Sequence, residues 1–180
     1  SLQMLERNAR RLLRLVTQIM DLSKLEGGVL QLEVSRGNIL RHIRLIADSF
    51  NHLAQHKEVN FSFYARQEEI EGFIDQDKLE KIIYNLLFNA FKFTPKGGQI
   101  NLFLRVLNPD SPQRQLEIEV KDTGSGIPED ELKHIFQRFY QVRKGAGYRS
   151  DGAGIGLSLV HHLIALHHGT IEVQSSTEKP

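Results

Sequence analysis

The sequence predicts an α+β fold preceded by a long amphipathic helix, and three observations support this. Apolar residues recur at spacings of three and four through residues 1–26, as on one face of a helix. Residues 59–64, 99–107 and 115–122 alternate between apolar and polar positions, as half-buried strands do. Between the first two of these runs, residues 75–95 have the periodicity and the capping residues of a helix. Helices and strands therefore share one domain behind the first helix.

The first helix is predicted over residues 1 to about 26, where Gly27 and Gly28 end it. Its apolar stripe lies opposite a surface rich in arginine. Such spacing is typical of a helical pair, so we interpret the stripe as a packing surface and not as a membrane or ligand contact. An exposed stripe of this kind would favour self-association. The stripe consists of Leu2, Leu5, Ala9, Leu12, Val16 and Ile19.

The remaining regular structure is predicted from the same two periodicities. A strand is expected over residues 29–34, followed by a helix over about 39–56. A turn-rich loop at residues 108–112 joins two of the alternating strands into a hairpin. A last strand is expected over residues 170–174, where apolar and polar residues alternate again.

Composition narrows the class of protein. The chain has 180 residues, of which 40% are hydrophobic and 25% charged, enough for one good core plus an appended element. Its formal charge of +1 and its scattered basic residues argue against nucleic acid as a partner. The sequence has no cysteine, which excludes disulfides and thiolate metal sites and suits a reducing cytosol. Since no apolar run approaches about 18 residues, we expect no bilayer span and no membrane contact in this chain. The expected location is cytoplasmic, as the cytosolic part of a larger protein that could itself be anchored in a membrane.

The helix predicted over residues 75–95 carries a candidate metal site. Asp75 suits the N-cap, and Pro95 followed by glycines suits the end. Asn85, Asn89 and Lys92 lie four and three residues apart and therefore share one stripe. Mg²⁺ prefers oxygen ligands and needs only one or two from the protein beside substrate phosphates, so Asn89 could hold it. Taken alone, such a stripe is more often a solvated face. The core face consists of Ile82, Ile83, Leu86, Leu87 and Ala90.

The run from Asp122 to Pro128 carries more information than any other part of the chain. An acid at a strand end is followed by Gly124 and Gly126, and then by a proline suited to opening a helix. The glycines let the backbone turn sharply and approach a flat ligand. A buried Asp122 carboxylate beside such a gap could accept a hydrogen bond from an exocyclic amine such as that of adenine. The alternative is an ordinary strand-to-helix turn with an aspartate cap.

A third segment suits phosphate. Gly152, Gly154 and Gly156 lead at alternate positions into an apolar-periodic helix through Val160. Bare N–H groups at a helix N-terminus bind anions, and glycines let phosphate oxygens approach them. The spacing fits neither the Rossmann nor the Walker pattern, and the polar stretch 141–150 before it is typical of a loop. In isolation this signal is weak.

Together, the asparagine helix, the Asp122 run, residues 135–139 and the glycine-rich run resemble the N, G1, F and G2 boxes of sensor histidine kinases, in order and in spacing. The resemblance implies a two-layer α/β sandwich of the Bergerat ATP-binding type, with ATP and Mg²⁺ as cofactors. It implies transfer of the γ-phosphoryl group to a histidine. Similar proteins that hydrolyse ATP have a glutamate where this chain has Asn85, and an amide cannot act as a general base. Asn85 therefore favours phosphotransfer over hydrolysis.

The resemblance also implies a role for each site residue. Asp122 would bind the adenine amine, and Asn89 would be the metal ligand. Ser125 stands where many members of the family carry an aliphatic residue, a small departure. The implied catalytic residues are Asn85, Asn89 and Lys92; the implied ATP-binding residues are Asp122, Phe93, Gly124, Gly126, Ile127, Gly152, Gly154, Gly156 and Leu157; the implied lid anchors are Phe136 and Phe139.

By the same resemblance, residues 1–28 are the second helix of a dimerisation and phosphoacceptor hairpin, and residues 29–180 are the catalytic domain without its usual last strand. The phosphoacceptor is expected outside this chain, since His42, His52 and His56 lack the context expected for it. The implied partners are the phosphoacceptor helix, a second subunit of a homodimer and a response-regulator receiver domain. The alternatives are a non-catalytic nucleotide-binding or dimerisation module and a serine kinase of the same superfamily.

Overall fold

The computed structural model describes residues 9, 12–13, 16–21, 23, 27–28, 30–142 and 153–177. The chain divides into two compact units, Glu33–Gly126 with Ser176–Pro180 and Ser1–Leu32 with Ile127–Ser175. Helices and strands alternate along the described residues, so the α+β prediction is confirmed.

The unit that begins at Glu33 holds the sheets. Its strands are β1 (Ser35–Asn38), β2 (Asn60–Ala65), β3 (Glu71–Ile74), β4 (Gln99–Leu107) and β5 (Gln115–Asp122). Its helices are α1 (Ile39–Ser49), α2 (Asn51–Lys57) and α3 (Gln76–Phe93). The strands predicted over 99–107 and 115–122 have the observed bounds, and the strand predicted over 59–64 is shifted by one residue.

The core of this unit lies between helices and one face of a sheet. β4 is the central strand of a three-stranded sheet, with β2 parallel on one side and β5 antiparallel on the other. Alternate residues of β4 point to one face, so Ile100, Leu102 and Leu104 are all fully buried. They pack in one cluster with Ile43 of α1 and Leu87 of α3. The two-layer arrangement predicted for the domain is therefore present.

Helix α3 begins and ends where its capping residues predict. Asp75 is the N-cap, and its side chain accepts a hydrogen bond from the Lys78 backbone N–H. The helix ends at Phe93, before Thr94 and Pro95. Of the predicted core face, Leu86 is only half-buried, whereas Ile82, Ile83, Leu87 and Ala90 are buried.

A buried ion pair at the start of α3 has no local signal in the sequence. One Asp75 carboxylate oxygen lies 2.5 Å from Lys78 Nζ and 2.7 Å from the Glu33 backbone nitrogen, which donates to it. Burial alone would raise the pKa of the Asp75 carboxyl. The hydrogen bonds from Lys78 and Glu33 and the Lys78 charge lower that pKa further than burial raises it, so it lies below its ordinary value.

The first predicted strand is wrong in position. Residues 30–34 lie in neither helix nor strand, and the strand begins at Ser35, where β1 pairs antiparallel with β3. The Glu33 N–H donates to the Asp75 side chain instead of to a neighbouring strand. Apolar alternation shows that a segment could form a strand. The position of a neighbouring strand then determines which of its residues pair. The four-residue strand β3 itself was missed.

The helix predicted over residues 39–56 is two helices. α1 ends before Phe50, whose N–H donates to the Ala47 carbonyl, and α2 begins at Asn51. Phe50 is buried and stacks on Phe91 of α3, with the ring centroids 5.5 Å apart. The helix is therefore interrupted at a residue that is anchored in the core.

The unit that contains Ile127–Ser175 is mainly helical. Its helices are α4 (Glu129–Leu132), which begins directly after Pro128, and α5 (Gly156–Leu166). α5 buries Leu159, Val160 and Leu163, so the helix predicted after the glycines is confirmed. The described residues 170–177 lie in neither helix nor strand, so the strand predicted over 170–174 is wrong. Its alternating pattern finds no strand to pair with in the described part of the chain.

Only part of the long first helix is described. Residues 9, 12–13, 16–21 and 23 are helical, and the Gly27 N–H donates to the Ser23 carbonyl in the turn that follows. Of the apolar stripe, Leu12, Val16 and Ile19 are 62%, 51% and 49% exposed. The rest of the prediction for residues 1–26 lies outside the described residues. Among the described residues, we find no helix with the length and apolarity that crossing a bilayer requires.

Candidate functional site

The asparagine stripe lies on one face of α3 with its polar groups partly accessible. Asn85, Asn89 and Lys92 are all half-buried. The Asn85 side-chain nitrogen donates to the Lys81 carbonyl oxygen, 2.7 Å away, so this amide is bound to its own helix. Lys92 Nζ lies 4.7 Å from the centroid of the Phe93 ring. In the last turn of a helix, the Lys92 charge is also favourable towards the helix dipole.

The donor set of this stripe fits Mg²⁺ better than a metal held by protein alone. Among the described residues, there is no group of three or more histidine, cysteine, aspartate or glutamate side chains that could hold an ion. The Asn89 amide is half-buried on this face, and its oxygen is uncharged. A neutral oxygen of this kind suits an ion that takes its remaining ligands from water and substrate phosphates.

Asp122 is the last residue of β5, and it is exposed, so the predicted buried carboxylate is wrong. The strand ends at this residue, and little of the chain covers its side chain. Asp122 Oδ1 accepts a hydrogen bond from the Gly124 backbone N–H, 2.8 Å away. This bond fixes the orientation of the carboxylate on its own turn.

Both glycines of the Asp122 run are required by the backbone around them. A Cβ at Gly124 would lie 3.0 Å from the Phe93 carbonyl oxygen and 2.5 Å from Asp122 Oδ1. A Cβ at Gly126, whose φ is +66°, would lie 2.1 Å from the Ser176 carbonyl oxygen. The close approaches predicted for these glycines thus come from the protein's own chain. They bring the end of α3 and the Asp122 turn together.

Two polar residues near this turn were missed by the sequence interpretation. Thr94 is buried, and its hydroxyl has no hydrogen-bond partner in the described part of the chain. Ser175 Oγ accepts a hydrogen bond from the Ile127 backbone N–H, 2.8 Å away, although the two residues are 48 positions apart. A single serine after a run of alternating apolar and polar residues carries no signal of such a contact. Ile127 itself is half-buried.

The two predicted lid anchors differ in how they are held. Phe136 is half-buried, and its ring centroid lies 5.5 Å from that of His161 on α5. Phe139 is 66% exposed and has a left-handed backbone, with φ at 60°. Its N–H donates to the Gly154 carbonyl oxygen, 2.9 Å away. Phe139 is thus fixed through its backbone while its ring is largely in solvent.

The glycine-rich run is described from residue 153 onward, so Gly152 lies outside the described residues. Gly154 has φ at +70°, and a Cβ there would lie 2.6 Å from both the Phe139 carbonyl carbon and the Tyr140 backbone carbonyl oxygen. Next to this contact, the Tyr140 hydroxyl donates to the Glu131 carboxylate. At the start of α5, Gly156 and the following Leu157 are half-buried.

Comparisons with known proteins agree with this geometry. A family model described as histidine kinase-, DNA gyrase B-, and HSP90-like ATPase matches residues 74–179. The chain is 40% identical over 176 residues to the hybrid signal transduction histidine kinase D of Dictyostelium discoideum, a match that covers 97% of this chain and 11% of that protein.

Solved structures give the same result. Full-length ShkA in complex with AMPPNP is similar with a TM-score of 0.77 and 25% identity, over 96% of this chain and 36% of that chain. The histidine kinase ThkA in complex with the response regulator protein TrrA shares the fold, with a TM-score of 0.67 and 21% identity, over 89% of this chain and 43% of that chain. The chain therefore spans well under two thirds of the length of each of these three proteins.

Proposed function

We propose a function from one premise: the chain belongs to the family of histidine kinase-, DNA gyrase B- and HSP90-like ATPases. Within that family it is the ATP-binding catalytic domain of a sensor histidine kinase, and it transfers the γ-phosphoryl group of ATP to a histidine. One observation supports this most directly. The Phe93 carbonyl at the end of α3 lies against Gly124, so the asparagine stripe and the exposed Asp122 carboxylate belong to one compact unit.

In this proposal, Asp122 recognises the base. One of its oxygens accepts the Gly124 N–H, and a carboxylate has further lone pairs with which it accepts the amine of adenine. Because the acceptor is charged, this hydrogen bond is stronger than one to a neutral group. Gly124, Gly126, Ile127 and Phe93 shape the pocket for the base.

In this proposal, the asparagine stripe binds the phosphates and their cation. When bound, Mg²⁺-ATP supplies the transferable phosphoryl group and a cation that offsets phosphate charge. Asn89 would hold the ion through its amide oxygen, while Asn85 and Lys92 would line the phosphate side. No residue of this stripe is a carboxylate that could deprotonate water, so catalysis is positioning and electrostatics directed at a histidine acceptor.

The glycine-rich run supplies a lid in this proposal. Gly152, Gly154 and Gly156 give phosphate oxygens access to backbone N–H groups, and Leu157 borders them. Phe136 and Phe139 anchor the lid at its other edge. The Phe139 N–H donates to the Gly154 carbonyl, and the backbones of Phe139 and Gly154 are in close contact. Both observations support a rigid attachment of the lid at this edge.

The domain division and the partners are also proposals. Residues 1–28 belong to a dimerisation and phosphoacceptor hairpin, and residues 29–180 form the catalytic domain. The acceptor histidine lies on such a hairpin in a homodimer, and a receiver domain takes the phosphoryl group next. The ThkA structure, in which a histidine kinase is bound to a response regulator, supports the second partner. Since its substrate is ATP, we place the domain in the cytosol.

Calorimetry with ADP and a non-hydrolysable ATP analogue, with and without Mg²⁺, tests the binding site. Asp122→Asn should weaken ADP binding by about tenfold or more, since it removes the charge from the hydrogen bond to adenine. Asp110→Asn is the matched control, because Asp110 is an exposed aspartate in the turn between β4 and β5. Equal affinities of the two variants would refute the role of Asp122, and no binding by the folded wild-type chain would refute the ATP site.

Phosphotransfer to a supplied helical hairpin that carries a histidine tests the reaction. Label from γ-labelled ATP should appear on the hairpin and be lost in acid, because a phosphorus–nitrogen bond is acid-labile. Acid-stable label on serine would instead identify a serine kinase. Nucleotide binding without transfer to the hairpin would identify a non-catalytic module.

A further inference from the structure

Three backbone N–H groups of the turn that carries Asp122 are each held by a different acceptor. The Thr123 N–H donates to the Gln99 carbonyl oxygen, 3.0 Å away, which continues the pairing of β5 with β4. The Gly124 N–H donates to the Asp122 side chain. The Ile127 N–H donates to Ser175 Oγ at 2.8 Å in a partly buried position. The first two bonds are local or part of the sheet, whereas the third joins the turn to a residue 48 positions further along the chain.

The backbone next to Ser175 packs directly on the same turn. A Cβ at Gly126 would lie 2.1 Å from the Ser176 carbonyl oxygen, 2.8 Å from its carbonyl carbon and 3.2 Å from Thr177 Cα. Residues 175–177 lie in neither helix nor strand, so sheet hydrogen bonds do not fix them there. The backbone of residues 175–177 therefore packs on the turn without regular hydrogen bonds, and the Ser175 hydroxyl provides a directional contact there.

A serine hydroxyl suits this position because it accepts and donates at once. By accepting the Ile127 N–H it satisfies an amide that has no strand or helix partner, and it keeps its own proton for a second acceptor. Alanine would leave that half-buried N–H unsatisfied and free to reorient. The Asp122 carboxylate depends on the shape of this turn through its own bond to the Gly124 N–H.

We propose that Ser175 is a positioning residue for the nucleotide base: its hydroxyl fixes the Ile127 end of the turn, and the turn orients Asp122 and Gly126. The proposal rests on the function proposed above. Ser175 acts only through the turn. It should therefore influence binding of the base and leave the contribution of Mg²⁺ and the phosphates unchanged, because those depend on Asn89 and Lys92.

The test uses three variants of the full chain. Ser175→Ala removes the hydroxyl, Ser175→Thr keeps it, and Thr177→Ala removes a nearby exposed hydroxyl while keeping the Cα that lies against Gly126. Two quantities are measured well below the unfolding midpoint: the hydrogen-exchange rate of the Ile127 amide, and the ADP dissociation constant with and without Mg²⁺.

For Ser175→Ala, we expect faster exchange at Ile127 and an ADP dissociation constant raised by about threefold to tenfold. The factor by which Mg²⁺ improves affinity should stay at its wild-type value. Ser175→Thr should keep both quantities at their wild-type values, and Thr177→Ala should change neither. A variant that was merely less stable would have a lower unfolding midpoint and an unchanged dissociation constant of the folded chain.

Two results would overturn the proposal while leaving the proposed function intact. One is an unchanged exchange rate at Ile127 in Ser175→Ala, which would mean that the hydroxyl does not constrain the turn. The other is faster exchange with wild-type ADP affinity, which would mean that the turn does not control the base. Failure of the wild-type chain to bind ADP would instead refute the function itself. The exchange data would then show only a structural contact.

Discussion

Loss of the Asp75 carboxylate should destabilise the protein far more than loss of an exposed aspartate on the same helix. Asp75 is 2% exposed, and it accepts hydrogen bonds from the backbone N–H groups of Lys78 and Glu33 and from the Lys78 ammonium. Removing an N-cap costs about 1 kcal/mol, and leaving a buried amide unsatisfied costs about 1–3 kcal/mol. Breaking a buried ion pair from one side costs about 3–5 kcal/mol, because the other charge stays buried.

These contributions overlap, since one carboxylate makes all of the contacts. We therefore expect Asp75→Ala to lower the free energy of unfolding by about 4 kcal/mol, close to the cost of the unpaired ammonium alone. Urea unfolding followed by circular dichroism measures this. Asp77→Ala is the control: Asp77 pairs with Lys81 at 3.0 Å, its side chain is 71% exposed, and its loss should cost less than about 1 kcal/mol.

The double variant Asp75→Asn with Lys78→Met separates the contribution of the charges to stability from the contribution of the N-cap. It keeps an N-cap acceptor and removes both charges, so it should recover most of the stability that Asp75→Ala loses. An Asp75→Ala loss no larger than that of Asp77→Ala would refute the reasoning. It would show that the Lys78 ammonium finds water or another partner when Asp75 is removed.

The same pair predicts the direction of a pH effect. The pKa of Asp75 is lower in the folded state than its ordinary value of 3.8, because the bonds from Lys78 and Glu33 outweigh burial. Its stabilising contribution is therefore complete above the unfolded-state pKa and is lost as pH falls through the lower folded-state pKa. Asp75→Asn should remove this part of the acid sensitivity. Urea titrations at a series of acid pH values measure it, and equal acid sensitivity of the two proteins would contradict the prediction.

Three further predictions concern the candidate site. Gly126→Ala should lower the free energy of unfolding by about 1–3 kcal/mol more than Gly97→Ala, because both have positive φ but a Cβ meets other atoms only at Gly126. Phe139→Gly should raise stability by up to about 1 kcal/mol by relieving a left-handed backbone, yet weaken ADP binding if the exposed ring anchors a lid. Asn89→Ala should abolish the gain in ADP affinity on adding Mg²⁺, measured by calorimetry, and leave Mg²⁺-free affinity unchanged; a retained gain would place the ion elsewhere.

Elements whose signals are local could be predicted from the sequence. The bounds of β4 and β5 agree with the alternation of their residues, because one face of β4 is buried and the apolar residues of β5 pack half-buried against the same core. α3 begins after its aspartate cap and ends before its proline, because both residues act on the backbone directly beside them. The stripe of Asn85, Asn89 and Lys92 follows directly from helical spacing, so its geometry needed no knowledge of the rest of the chain.

Features that depend on distant partners could not be predicted. β1 is a strand only because β3 lies beside it, and neither segment has strong alternation. The buried ion pair of Asp75 and Lys78 receives a hydrogen bond from the Glu33 N–H, 42 positions away in the chain. Ser175 meets the Ile127 amide across 48 residues of chain. In each case the chemistry of the residue is ordinary, and its role is set by which backbone passes close to it.

The glycines of the Asp122 turn show how a correct motif can rest on a different physical cause. Their predicted purpose was to leave room for a ligand, whereas the room at Gly124 and Gly126 is occupied by the Phe93 and Ser176 carbonyl oxygens. Glycine here lets the protein close on itself, which fixes the turn and leaves Asp122 exposed at its edge. A turn fixed during folding does not have to be ordered when a ligand binds, and this favours affinity. Substitution at these glycines should therefore be detected first as lost stability, and loss of binding should follow from it.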